Sequence, residues 1–147
     1  MKKSFGFTII ELLISMSIMA LLFGIGAAKY VSFNQSQTIK QAGQKLRNDL
    51  RVVANKAITG EKMTCGTLDG YRVSFTSGQY LIAAACSGGT FVAVNTLSLP
   101  SGITFNPVPG VVFFKVLGQG VSSAATLTLS GFGKTEIITV NTSGEIQ

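Results

Sequence analysis

Apolar residues run almost without a break from Phe7 to Ala28, and Glu11 is the only charged residue among them. A helix rises about 1.5 Å per residue, so this stretch spans a hydrocarbon core of about 30 Å and reads as a membrane segment. Lys2 and Lys3 stand before it and Lys29 directly after it. Beyond Lys29 the pattern turns periodic. Ile39, Ala42, Leu46, Leu50, Val53 and Ala57 recur at steps of three and four and line one face of a continuing helix, while Lys40, Lys45, Arg47, Asp49, Arg51 and Lys56 fall mostly elsewhere. No proline interrupts this region, the first in the chain being Pro100. Thr59-Gly60 ends the pattern as a C-terminal glycine does, with Lys56 placed where the helix dipole favours a cation.

After Gly60 the period shortens to two and the turn residues multiply. Tyr71 to Phe75 and Gln79 to Ala85 flank Thr76-Ser77-Gly78 as a first hairpin, and Thr90 to Leu99 follows Ser87-Gly88-Gly89. Ile103 to Phe105 is a short strand and Val111 to Leu117 a buried-looking one. Leu127 and Leu129 point one way and Thr126 and Thr128 the other. Gly131-Phe132-Gly133-Lys134 turns the chain, Thr135 to Val140 returns, and a last short segment follows Thr142-Ser143-Gly144. These signals predict an α+β fold: a long N-terminal α-helix, half membrane-spanning and half amphipathic, packed on a small antiparallel β domain in one sheet or two.

A lone carboxylate in an apolar helix is costly, about 2.5 to 3.5 kcal/mol at the bilayer centre on insertion scales, so Glu11 is a functional-site candidate that needs a partner. A basic leader ending in Gly6, then Phe7, then Glu11 at the fifth position after Gly6, then the apolar run, resembles the type IV prepilin signature. The resemblance implies cleavage between Gly6 and Phe7 by a prepilin peptidase, N-methylation of Phe7, and docking of a neighbouring subunit through Glu11. Such a cut would create the missing partner, an α-amino group on Phe7. The resemblance also implies insertion in the bacterial inner membrane and then assembly into a filament by an inner-membrane platform protein and an ATPase. The expected organisation is a leader at 1–6, a membrane and filament-core half at 7–28, an amphipathic half at 29–58 and a β-rich domain at 59–147. Many major pilins kink this helix with a proline that is missing here. Gly24 and Gly26 are either its weak points or sites of close helix packing. The helix tail Asp49-Leu50-Arg51 and the closing run Ile137 to Asn141 with Gly144 and Ile146 are similar to the type II secretion protein H family of minor pseudopilins. A pilus and a secretion pseudopilus both stay open.

Composition adds to this picture. Charged residues make up 12% and hydrophobic ones 46%, with no histidine and no tryptophan. The formal charge is +6, and without Lys2 and Lys3 it is +4. Cys65 and Cys86 lie in the part that would be exported, where a pair reads as a disulfide. Two thiols without histidine argue against a metal site and against a catalytic cysteine. Dispersed carboxylates form no acid/base pair and no phosphate loop is present, so the chain reads as neither an enzyme nor the holder of a cofactor. The cations Lys40, Lys45, Arg47, Arg51, Lys56 and Arg72 offer contacts to partner subunits. Alternatively they offer a stripe to DNA phosphates, which would make the chain a minor pilin that binds DNA for uptake.

Overall fold

The computed structural model describes residues 8–147. They belong to two compact units, Met1–Gln35 and Ser36–Gln147. A single α-helix, α1, covers Ile9–Thr59. In the first unit every described side chain from Ile9 to Asn34 is exposed. Two serines of its apolar run are satisfied within the helix: Ser15 Oγ donates to the Leu12 carbonyl at 2.9 Å and Ser17 Oγ to the Leu13 carbonyl at 2.8 Å. Every polar group of an uncovered apolar helix needs such a local partner in lipid.

In the second unit α1 buries the stripe that its period of 3.6 sets out. Ile39, Ala42, Leu46, Leu50, Val53 and Ala57 are all buried, and Gly43 lies in the same stripe. The helix ends where Gly60 adopts a φ of 66°. There the Glu61 N–H donates to the Lys56 carbonyl at 3.1 Å and the Gly60 N–H to the Ala57 carbonyl at 3.3 Å, the two bonds of a Schellman cap.

Seven strands follow: β1 (Leu68–Phe75), β2 (Gln79–Cys86), β3 (Thr90–Ser98), β4 (Ile103–Phe105), β5 (Val112–Lys115), β6 (Ala125–Gly131) and β7 (Lys134–Val140). They make two antiparallel sheets, ordered β3-β2-β1-β5 and β4-β6-β7. Alternation directs Tyr71, Val73 and Phe75 of the first sheet and Leu127 and Leu129 of the second into one core shared with the helix stripe. Phe105 of β4 joins the sheets, its ring meeting that of Phe75 edge-on at 5.1 Å between centroids. The β6–β7 hairpin turns on Phe132 and Gly133, both left-handed at φ 55° and 70°, as a two-residue type I′ turn requires. Phe132 lies against Gly102, where an added Cβ would sit 2.9 Å from the ring.

Two strand boundaries differ from the sequence pattern by more than one residue. The strand expected over Val111 to Leu117 stops at Lys115, because Leu117 turns left-handed at φ 56° within a 3-10 turn and stands 76% exposed. Strand β1 begins at Leu68, earlier than Tyr71, through an irregularity between Leu68 and Gly70. Gly70 tolerates this start because the Phe114 carbonyl and the Phe113 ring occupy the space a side chain would take.

Cys65 and Cys86 form a disulfide with a Cα–Cα distance of 5.3 Å and a sequence separation of 21. It fastens the connection after α1 to the end of β2, beside the bond from the Ser87 N–H to the Thr67 carbonyl. Closing a loop of that length removes about 3 kcal/mol of freedom from the unfolded chain. Replacing both cysteines with serine is therefore expected to lower the melting temperature by roughly ten degrees. A scan of the two proteins in oxidising buffer checks this, and equal midpoints contradict it.

Candidate functional site

The N-terminal start of α1 is built by Thr8. Its Oγ1 accepts the Glu11 N–H at 3.3 Å and its carbonyl accepts the Leu12 N–H at 3.2 Å, so the helix opens at Ile9 under a side-chain cap. Glu11 lies in the first turn, where the helix dipole favours a carboxylate. Thr8-Ile9-Ile10-Glu11 has the spacing of a capping box, a signal in the sequence that points to Thr8 and that the reading of Glu11 alone passed over. Around Glu11 stand Ile10, Leu12, Leu13 and Ile14, between 49% and 67% exposed. The carboxylate thus projects from a bare apolar rod. Gly6 and Phe7, the residues expected at the cut and at methylation, lie outside the described residues, as do Lys2 and Lys3.

The structure scatters the six cations singled out in the sequence. Arg47 Nη2 donates to Glu136 Oε1 at 2.8 Å and to the Ile137 carbonyl at 3.1 Å, tying α1 to β7. One turn on, Arg51 Nη2 donates to the Ile146 carbonyl at 3.2 Å. Gly43 makes the first of these contacts possible, since an added Cβ would stand 2.6 Å from Glu136 Cγ. Lys56 pairs with Glu61 at 2.8 Å at the helix end, and the Arg72 guanidinium lies 4.9 Å from the Phe91 ring centroid on the outer side of the first sheet. Lys40 and Lys45 are exposed and make no side-chain hydrogen bond or ion pair among the described residues. Four of the six cations are thus occupied within the fold, and they do not form one stripe.

Two tyrosines and one lysine are electrostatically perturbed. Tyr80 is buried and its hydroxyl donates to Asp49 Oδ2 on the flank of α1. Burial, and then the bond to a carboxylate that only the neutral phenol can donate, push its pKa well above the usual tyrosine value. The Tyr71 hydroxyl donates to the Glu61 carbonyl at 2.7 Å, and burial raises its pKa in the same direction. Lys56 is raised chiefly by its hydrogen bond to Glu61. Among the described residues no three His, Cys, Asp or Glu side chains gather closely enough to hold a metal ion. Among the described residues one helix, α1, is long and apolar enough to cross a membrane, with a mean hydropathy of 2.2 in its most apolar window and no part of that window buried.

Residues 1–27 match the family model described as the prokaryotic N-terminal methylation motif. This match supports placing the chain with the type IV pilins and pseudopilins, and with the apolar helix it points to an N-terminal membrane anchor. No curated protein and no solved structure is significantly similar to the chain. The likeness of its β domain to the type II secretion protein H family therefore stays a likeness of sequence pattern.

The three perturbed groups fix the alkaline limb of stability. Each binds its proton more tightly folded than unfolded, so the stabilisation is complete below the ordinary values of 10.0 for tyrosine and 10.5 for lysine and is lost as pH rises beyond them. Denaturant midpoints are expected to hold level up to about pH 10 and then fall. Tyr80→Phe should lower the midpoint at neutral pH, because Asp49 loses its donor, and should make the alkaline fall shallower. An unchanged alkaline slope in that variant refutes the assignment to Tyr80.

Proposed function

We propose that this chain, a pilin-type precursor by its N-terminal methylation motif, is a structural subunit of a type IV pilus or a type II secretion pseudopilus. Proteins of that type are structural subunits and not enzymes. The observation that carries the proposal is the match over residues 1–27 combined with Glu11 in the first part of α1, where every described side chain from Ile9 to Asn34 is exposed. Such a surface is stable only in lipid or against other helices of its kind. In this reading 1–6 is a leader removed after Gly6, and Phe7 then carries a methylated α-amino group. Residues 7–28 form the membrane and filament core, 29–58 the amphipathic half of the helix and 59–147 the β domain.

The assembly step follows from charge. An amine at Phe7 of an incoming subunit and the Glu11 carboxylate of its neighbour are both costly in a low dielectric, and pairing them offsets much of that cost while fixing the axial register. The subunit partners are other pilin or pseudopilin chains. A prepilin peptidase, an inner-membrane platform and an assembly ATPase complete the machinery. The protein begins in the inner membrane and ends in an extracellular or periplasmic filament. The DNA-binding reading draws on fewer cations than the sequence offers, since Arg47, Arg51, Lys56 and Arg72 have partners in the fold. The structure therefore favours the subunit reading.

Gly6→Val is expected to keep the full-length chain in the membrane, seen by intact mass, and normal trimming of that variant would overturn the precursor reading. Glu11→Ala should still be trimmed, yet leaving the Phe7 amine unpaired costs on the order of 3 to 5 kcal/mol, enough to lower incorporation more than a hundredfold. The measurement is processed protein in sheared filaments against that in the inner membrane. Equal partitioning of Glu11→Ala and the parent chain would remove Glu11 as the docking charge.

A further inference from the structure

The exposed apolar surface of α1 does not end where the uninterrupted apolar run does. Tyr30, Val31 and Phe33 are 70%, 54% and 62% exposed, and the exposed Lys29 precedes them. Polar residues take over at once in Asn34-Gln35-Ser36-Gln37, and the side chains from Gln35 onward begin to be covered. Aromatic rings left open to water gain nothing there. At the boundary of a bilayer, Tyr and Trp side chains are favoured, and a lysine stem can cross apolar depth to place its ammonium among phosphates. Tyr30 and Phe33, three residues apart, share one helix face.

Length decides where that boundary falls. From Ile9 to Phe33 the helix rises about 36 Å, more than the hydrocarbon core of about 30 Å, so with the helix near the membrane normal one end lies among headgroups. Between Glu11 and Tyr30 the rise is about 28 Å. Placing Tyr30 at one boundary therefore brings Glu11 to within a few ångströms of the other. The cost of a carboxylate is greatest at the bilayer centre, and this placement avoids it.

From these positions we infer that Lys29, Tyr30 and Phe33 form a lipid-headgroup anchor that sets the depth of α1 and holds Glu11 at the opposite edge of the hydrocarbon. The inference rests on the membrane-anchoring reading above. The anchor's partner is a phospholipid interface, with the Lys29 ammonium on phosphate and the two rings at the level of the carbonyls. It gives the docking charge a fixed height, so that neighbouring subunits present their carboxylates in one plane.

The chain has no tryptophan, so Tyr30→Trp, Phe33→Trp and Leu21→Trp each carry a single emitter. Leu21 lies about 14 Å along the helix from Tyr30, near the middle of the core. The full-length variants are placed in phosphatidylcholine–phosphatidylglycerol vesicles whose acyl chains are brominated either near the glycerol or near the methyl end. Leu21→Trp should lose most emission to the deep bromines, and Tyr30→Trp and Phe33→Trp to the shallow ones. Deep quenching of both aromatic-site variants, or quenching of them by aqueous iodide and by neither lipid, overturns the anchor. Were Leu21→Trp quenched by neither lipid, the segment would lie outside the bilayer and the anchoring reading itself would fall with it.

Discussion

Everything in the second unit depends on burying one stripe of α1. The two sheets have four and three strands, and each turns an apolar face inward. Only the stripe through Ile39, Leu46, Leu50 and Val53 covers both faces at once. Burying a side chain such as Leu46 or Leu50 fully contributes about 1.5 to 3 kcal/mol. The helix is therefore the common wall of the core, and Phe105 against Phe75 closes the seam between the sheets from within.

Polar side chains beside the stripe fix the helix in place. Arg47 and Arg51 lie one turn apart on one flank and reach β7 and the Ile146 carbonyl, both belonging to the second sheet and its edge. Asp49, on the other flank, receives the Tyr80 hydroxyl from β2 of the first sheet. The helix is thus held by charge or hydrogen bond to each sheet, and rotation about its axis would break one set of bonds or the other. Gly43 completes the arrangement by leaving room for the Glu136 stem.

Most of this architecture was legible in the sequence because it is written in local periods. A repeat of 3.6 marked the six buried hydrophobic positions from Ile39 to Ala57, and a repeat of two separated Leu127 and Leu129 from Thr126 and Thr128. What was not legible depends on residues far apart. No local signal explains Gly43 until Glu136 is seen to cross it, and Arg47 and Arg51 read as contacts to partners or DNA until β7 and Ile146 are in place. Strand order likewise depends on pairings that no local period encodes. The truncation of β5 has another cause, the left-handed backbone of Leu117, which no hydrophobic pattern records. At the candidate site, charge and spacing exposed Glu11, whereas Thr8 was hidden among residues read only for their hydrophobicity.

Those long-range bonds also have a meaning in time. Arg47 is separated from Ile137 by 90 positions and Arg51 from Ile146 by 95. A ribosome adding roughly 5 to 20 residues per second needs about 5 to 20 s to cover that interval. Throughout it, the finished helix has an apolar stripe and no second sheet to lay against it. The first sheet, made of adjacent hairpins, can form and cover part of the stripe early, and the rest stays open to any other hydrophobic surface nearby. Whatever keeps the nascent chain from misassembling has to act on the side of α1 that faces β6 and β7, and only for those seconds.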